Sequence, residues 1–200
     1  MASKARKPRV SRIEEDDWIE SAFDMLANGG VAAVRVEPLA DRLGVTKGAF
    51  YARYPTRDAL LAAMLEYWRR VSTVDVLTAF AEINEPPVER LRRILDLPFR
   101  RADVRNRARM EMAIRIWAHH DERAAKTMAE IDAYRIRYFE SVLRANGFAA
   151  PEAEARAFLI YAYVVADGSL PGARSPALRS RVRQFLSTEL DNENEAQQTD

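Results

Sequence analysis

The sequence predicts an all-α chain of about nine helices, with a small N-terminal group of three followed by a larger helical body. Three observations carry this. Apolar residues recur at three- and four-residue spacings along most of the 200 residues, as in helices with one buried face. Only seven glycines and nine prolines occur, too few for a loop-rich or all-β chain. The stretch Val36–Tyr54 sets two short helices against each other across a glycine turn, which makes a helix-turn-helix.

The elements follow in order. A first helix is expected from near Ser11, with Glu14, Glu15, Asp16 and Asp17 in its first turns. Acids there match the positive end of the helix dipole, and consecutive acids diverge too much to converge on one metal ion. Trp18, Ile19, Ala22, Phe23 and Leu26 form its core side, and Asn28-Gly29-Gly30 stops it. Val36, Leu39, Ala40 and Leu43 give the second helix its apolar face, with Pro38 tolerable in the first turn. Gly44 ends that helix in a left-handed conformation, and the Thr46 hydroxyl caps a third helix with Phe50 inside. Thr56 caps a fourth, whose apolar face is Leu60, Leu61, Met64, Leu65 and Trp68. Nothing Gly/Ser-rich lies between Pro55 and Glu85, so a packed helix rather than a tether is expected to couple the two parts.

Asn84-Glu85-Pro86-Pro87 is a break, and Pro87 opens a fifth helix. The sixth, Asp103 to His120, carries Met110, Ala113, Ile114 and Trp117 on one face, and Glu111 and Arg115 form an i,i+4 pair expected at the surface. The seventh runs from Asp121 to about Asn146, with a stripe of Met128, Ile131, Tyr134, Tyr138, Phe139 and Leu143. The eighth, opened by Pro151, is apolar all round from Ala157 to Ala166 and ends at Asp167-Gly168. Such a helix needs cover on both sides. It is either the central helix of a monomer or, with a ninth helix carrying Leu178, Val182, Phe185 and Leu186, half of a subunit interface.

Composition bounds the function. The formal net charge is only +1, so the whole-chain balance says nothing about nucleic acid. The ends are polarised. Residues 1–10 form a basic, Pro-containing arm expected to be disordered, and residues 191–200 an acidic tail without a base, read the same way. The arm is either a DNA-backbone contact or a solubilising tail. No cysteine occurs, which fits a cytoplasmic location, and no apolar signal-peptide core stands near the N-terminus. The most apolar run is about ten residues, short of the ~20 a membrane span needs, so no membrane partner is expected. No phosphate loop, dinucleotide fingerprint or nucleophile elbow occurs, and the only two histidines, His119 and His120, are adjacent and diverge on a helix. No enzyme activity, catalytic residue, cofactor or metal site is expected.

The outward residues of the helix-turn-helix suit DNA. Lys47 reaches a phosphate or a guanine edge, and small Gly48 and Ala49 allow close approach, the Ala49 methyl meeting a thymine methyl. Tyr51 and Arg53 can bond phosphate oxygens, which positions a helix without reading sequence. On the turn alone, a tight corner in an all-α domain explains the pattern equally well.

The flanks add the decisive signal. Tyr51-Ala52-Arg53-Tyr54-Pro55-Thr56-Arg57-Asp58-Ala59-Leu60-Leu61, with Trp18–Leu26 and Asn28-Gly29-Gly30 upstream, resembles the tetracycline-repressor (TetR) family of bacterial transcription regulators over residues 12 to 65. Arg35 stands where that family usually has a threonine or serine cap, Arg53 where a histidine is common, and Arg57 where a lysine is common. The resemblance implies a helix-turn-helix DNA-binding domain at 11–55 and a helical effector-binding and dimerisation domain at 56–190. It implies a ligand-responsive repressor that binds a palindromic operator as a homodimer. Lys47 and Ala49 would read bases, with Gly48 between them, and Thr46, Tyr51, Arg53, Thr56 and Arg57 would hold phosphates. A small-molecule effector, largely apolar, would meet Trp68, Phe80, Met110, Ile114, Trp117, His120 and Tyr134, and its binding would move the fourth helix. The alternative is a dimeric helix-turn-helix module without a small-molecule switch.

Overall fold

The computed structural model describes residues 14–74, 85–95, 104–170, 175–178, 180–182 and 184–185. The expected basic arm, the acidic tail, Phe80 and Leu186 lie outside them. Every regular element among the described residues is helical: α1 Glu15–Gly29, α2 Val36–Arg42, α3 Lys47–Arg53, α4 Arg57–Arg69, α5 Pro87–Leu95, α6 Val104–Ala118, α7 Glu122–Ala145 and α8 Ala150–Ser169. Residues 176–178, 180–182 and 184–185 are helical as well. A short 3-10 turn, Val31–Ala33, joins α1 to α2, and a π-helical turn, Arg70–Val74, extends α4. No helix among the described residues is long and apolar enough to cross a membrane. The chain divides into two compact units, Met1–Met64 and Leu65–Asp200, so the division falls within α4.

In the first unit α1 begins at Glu15, later than the expected start near Ser11, because Glu14 is extended and caps it. The Glu14 N–H donates to Asp17 Oδ2 at 2.7 Å, so one acid of the run closes a capping box. Gly30, at φ 69°, stops the helix, and its N–H donates to the Leu26 carbonyl at 2.9 Å. The core of this unit is Trp18, Ile19, Ala22, Phe23 and Leu26 of α1, Leu39 and Ala40 of α2, Phe50 of α3, Tyr54, and Leu60, Leu61 and Met64 of α4.

In the second unit α7 is the central helix, packed against α5, α6 and α8, with α6 also touching α8. Asp121 caps α7, its Oδ1 accepting from the backbone N–H groups of Arg123 and Ala124 at 2.9 and 3.2 Å. Phe139, Val142 and Leu143 of α7 pack with Phe148 and with Ala153, Ala157, Ile160 and Tyr161 of α8. The helix α8 runs through Asp167-Gly168 to Ser169 rather than ending there, with Asp167 buried.

Two expectations for this unit are corrected. Tyr134 is 40% exposed and does not belong to the buried stripe of α7. The inward position between Ile131 and Phe139, four residues from each, is Arg135, whose side chain is only 13% exposed. Glu111 and Arg115 of α6 are not a simple surface pair either. Arg115 Nη2 donates to Glu111 Oε1 at 2.8 Å and to Asp132 Oδ1 at 2.7 Å, while its Nη1 donates to Asp132 Oδ2 at 3.0 Å. Arg135 Nη1 donates to both Glu111 oxygens at 3.0 and 3.1 Å, and the Tyr161 hydroxyl donates to Asp132 Oδ1 at 2.5 Å. Two arginines, two carboxylates and a phenol from three helices thus pair with one another, as half-buried charges in this setting require, although the buried Nε of Arg115 has no hydrogen-bond partner.

Candidate DNA interface

Three local devices set the geometry of α3. The first is the turn. Gly44 has φ 67°, and its N–H donates to the Asp41 carbonyl at 3.1 Å while that of Val45 donates to the Ala40 carbonyl at 3.0 Å. A Cβ at Gly44 would meet nothing within 4 Å, so only the left-handed backbone resists a side chain. Gly44→Ala should therefore cost about 1–2 kcal/mol, and Gly44→Asn distinctly less, since asparagine tolerates this conformation. Paired thermal melts of the two variants check this. Equal losses would mean that the space, not the backbone, was misjudged.

The second device is the cap. Thr46 is extended and its Oγ1 accepts from the Ala49 N–H at 3.3 Å, so α3 starts at Lys47. By contrast Arg35, at the N-cap of α2, makes no side-chain cap bond, as its replacement of a threonine or serine predicts. The third is the anchor. Phe50 is fully buried, its ring 5.7 Å from that of Trp18 in an edge arrangement and 5.7 Å from that of Tyr54. With Phe50 turned inward, Lys47, Gly48, Ala49, Tyr51, Ala52 and Arg53 are all exposed, Tyr51 to 54%. The α2–α3 pair thus presents a short helix with small residues in its first turn and longer polar groups around them.

The polar groups around α3 differ in what holds them. Lys47 Nζ donates to Glu37 Oε1 on α2 at 2.6 Å, and both side chains are more than half exposed. The hydrogen bond from Lys47 holds the Glu37 carboxyl below its ordinary value, and the same bond raises the ammonium of Lys47. Arg53 is ion-paired with Glu15 at the start of α1. The Thr56 hydroxyl accepts from the Ala59 N–H at 3.1 Å and caps α4. Arg57 is turned inward. Its Nε donates to the Val34 carbonyl at 2.5 Å and its Nη2 to the Val31 carbonyl at 2.5 Å, tying the start of α4 to the turn before α2. Those bonds fix the mutual position of α2 and α4 within this unit.

The residues expected to meet an effector differ in exposure. Trp68, Ile114 and Trp117 are buried and Met110 is half-buried, whereas His120 and Tyr134 are exposed, and Phe80 lies outside the described residues. No group of three or more metal-ligating side chains occurs among the described residues. Periodicity missed two features. These are Glu37 beside Lys47, ten residues away across the turn, and the Glu111–Arg115–Asp132–Arg135–Tyr161 network. Arg135 did carry a signal, lying four residues from both Ile131 and Phe139.

Two short helices joined by a left-handed glycine, the second capped by Thr46 and anchored by a buried aromatic, form a helix-turn-helix. Residues 19–64 match the sequence profile described as "Bacterial regulatory proteins, tetR family". Over those residues, which include α2 and α3, the chain resembles this family of transcription regulators. It is 28% identical over 82 residues to the uncharacterised HTH-type transcriptional regulator YerO of Bacillus subtilis (strain 168), a stretch covering 40% of this chain and 28% of that one. Among solved structures it resembles a transcriptional regulator from Rhodococcus sp. Rha1, with 25% identity and a TM-score of 0.66 over 90% of this chain and 95% of that one. It also resembles a transcriptional regulator from Saccharomonospora viridis solved in complex with choline, with 17% identity and a TM-score of 0.71 over 88% and 94%.

Proposed function

We propose that this protein is a cytoplasmic repressor that binds a palindromic operator as a homodimer and is released by a small effector. The observation that carries the DNA reading is the capped α3 turned on Phe50, which leaves Lys47, Gly48, Ala49 and Tyr51 facing outward. The DNA-binding domain is then 11–55, led by the basic arm at 1–10, and the effector-binding and dimerisation domain 56–190, followed by the acidic tail at 191–200. Lys47 and Ala49 read base edges and Tyr51 and Arg53 hold phosphates. Thr46 and Thr56 add phosphate contacts from cap positions, and Arg57, engaged with two carbonyls, acts chiefly by fixing α4.

The dimer reading rests on α8. Its inward residues Ala157, Ile160 and Tyr161 are buried, while Phe158 and Leu159 on the opposite side are 59% and 58% exposed, and Leu178 and Phe185 beyond it are exposed too. An apolar surface of that kind on a helix flanked by another helix suits a second copy of the chain. The effector reading sets Trp68, Met110, Ile114 and Trp117 along the ligand, and the complex of a regulator of similar fold with choline supports a small-molecule effector. Binding there shifts α4, which begins in one unit and ends in the other, and a preference of about 1–3 kcal/mol for the released form changes occupancy several-fold.

The test is selection of bound sequences from random duplex DNA by the purified chain at about 0.15 M salt, where non-specific phosphate attraction is partly screened. An inverted repeat with half-sites about one helical turn apart, or a multiple of it, is the expected product. Recovery of sequences no different from the starting pool would sink the DNA-reading function. Recovery of a single, unrepeated site would sink the dimer.

A further inference from the structure

The recognition helix carries its one lysine in contact with an acid of the preceding helix, an arrangement that needs a reason. An exposed Lys–Glu pair contributes little to stability, because solvent screens it and two flexible side chains must be ordered. Its consequence lies where the pair would be used. Lys47 and Glu37 both project to solvent beside α3, with their charged tips 2.6 Å apart. Asp41, one turn further along α2, adds its field to that of Glu37 on Lys47. The neighbouring positions on α3 are Gly48 and Ala49, so Lys47 is the long polar group of α3 at this end, with Glu37 of α2 in contact with it and Arg35 close enough to act on Glu37. A lysine that keeps this pair draws a carboxylate towards any phosphate it meets, and one that leaves it gives up the pair first.

We propose that Glu37 is a specificity-determining residue of the DNA interface. It biases Lys47 away from phosphate and directs the pair to base edges, the ammonium to guanine O6/N7 and the carboxylate to the amino group of an adjacent cytosine or adenine. In the major groove a carboxylate finds donors only on cytosine N4 and adenine N6, so it discriminates by both attraction and repulsion. Phosphates are then left chiefly to Tyr51, Arg53 being itself ion-paired with Glu15 of α1. This rests on the DNA-reading function proposed above and goes further in assigning a role to an α2 residue that makes no phosphate contact.

The experiment compares full-length wild type, Glu37→Gln, Lys47→Ala and the double variant, each checked by circular dichroism. Each is used to select sequences from random duplex DNA, and then titrated with the wild-type site and a scrambled duplex at several salt concentrations. Glu37→Gln should bind the scrambled duplex several-fold more tightly. Its salt slope should steepen by about one, as Lys47 gains a phosphate. It should also lose roughly fivefold or more of the discrimination at one position of each half-site. In the Lys47→Ala background the same change should leave the salt slope unmoved, because no cation is released. Unchanged base preference together with an unchanged salt slope in Glu37→Gln overturns the proposal while leaving the DNA-reading function standing. If wild type itself selects no sequence, the function falls first and the role of Glu37 falls with it.

Discussion

Replacing Phe50 by alanine should abolish DNA binding by unfolding the first unit, while the helical body keeps its secondary structure. Phe50 is fully buried and is the one inward side chain of α3, its ring packed edge-on to Trp18 and close to Tyr54. Truncation of such a ring costs about 3–5 kcal/mol, from lost transfer energy plus the cavity left behind. A unit of this size has a total stability of only several kcal/mol. The loss also falls on a seven-residue helix that cannot persist without its tertiary anchor. Phe50→Leu keeps most of the volume and should cost distinctly less, with DNA binding retained. Two probes check this: far-UV circular dichroism, which should fall by the share of helix in the first unit, and titration with the selected operator. A Phe50→Ala protein that melts with the wild type and still binds would show that α3 is held by something other than this ring.

The parts of the interface that were legible in the sequence are those fixed by chemistry within a few residues. Gly44 announces a left-handed residue, Thr46 a cap and Phe50 an inward position, and each is found in that role. What was not legible depends on partners brought close only by folding. Glu37 and Lys47 are on different helices, and no helical spacing relates them. Nor could any spacing show that the guanidinium of Arg57 donates to two backbone carbonyls in the turn before α2. In the body, reading the stripe of α7 by apolarity alone favoured Tyr134 over Arg135. The burial of Arg135 is made tolerable by Glu111 on α6, which no pattern within α7 can reveal. Overall helical architecture survives such errors, because helix length and breaks are local properties. The identity of the polar groups turned inward is not.

The network that those errors concealed sets the second large effect. Asp132 accepts both Nη groups of Arg115 and the Tyr161 hydroxyl, so Asp132→Ala leaves a half-buried guanidinium without its bidentate partner and a phenol without its short bond. Glu111 remains to hold part of the charge of Arg115, so the cost should fall at or below the low end of the range for broken buried pairs, about 2–3 kcal/mol, or very roughly 5–10 °C in melting temperature. The pH dependence follows from the same carboxylate. Burial raises the Asp132 carboxyl, but the hydrogen bonds from Arg115 and Tyr161 outweigh it and hold the group below its ordinary value. The hydrogen bond from Arg123 and those from two backbone N–H groups hold the Asp121 cap down to about 2. A carboxyl whose folded value is depressed contributes stability above its unfolded value, near 4, and loses it as pH falls through the folded value. Tyr161, pushed up to about 12 chiefly by burial, remains a donor throughout. Wild type should therefore melt progressively lower between about pH 4 and pH 2. Asp132→Ala should start lower and fall less steeply, because one of the depressed carboxyls is gone. A wild-type melting temperature that is flat from pH 5 to pH 2.5, or an alanine variant that tracks the wild type at pH 7, would mean that α6, α7 and α8 are held by their apolar contacts alone. The polar cluster would then be a tolerated feature of the packing rather than a cause of it.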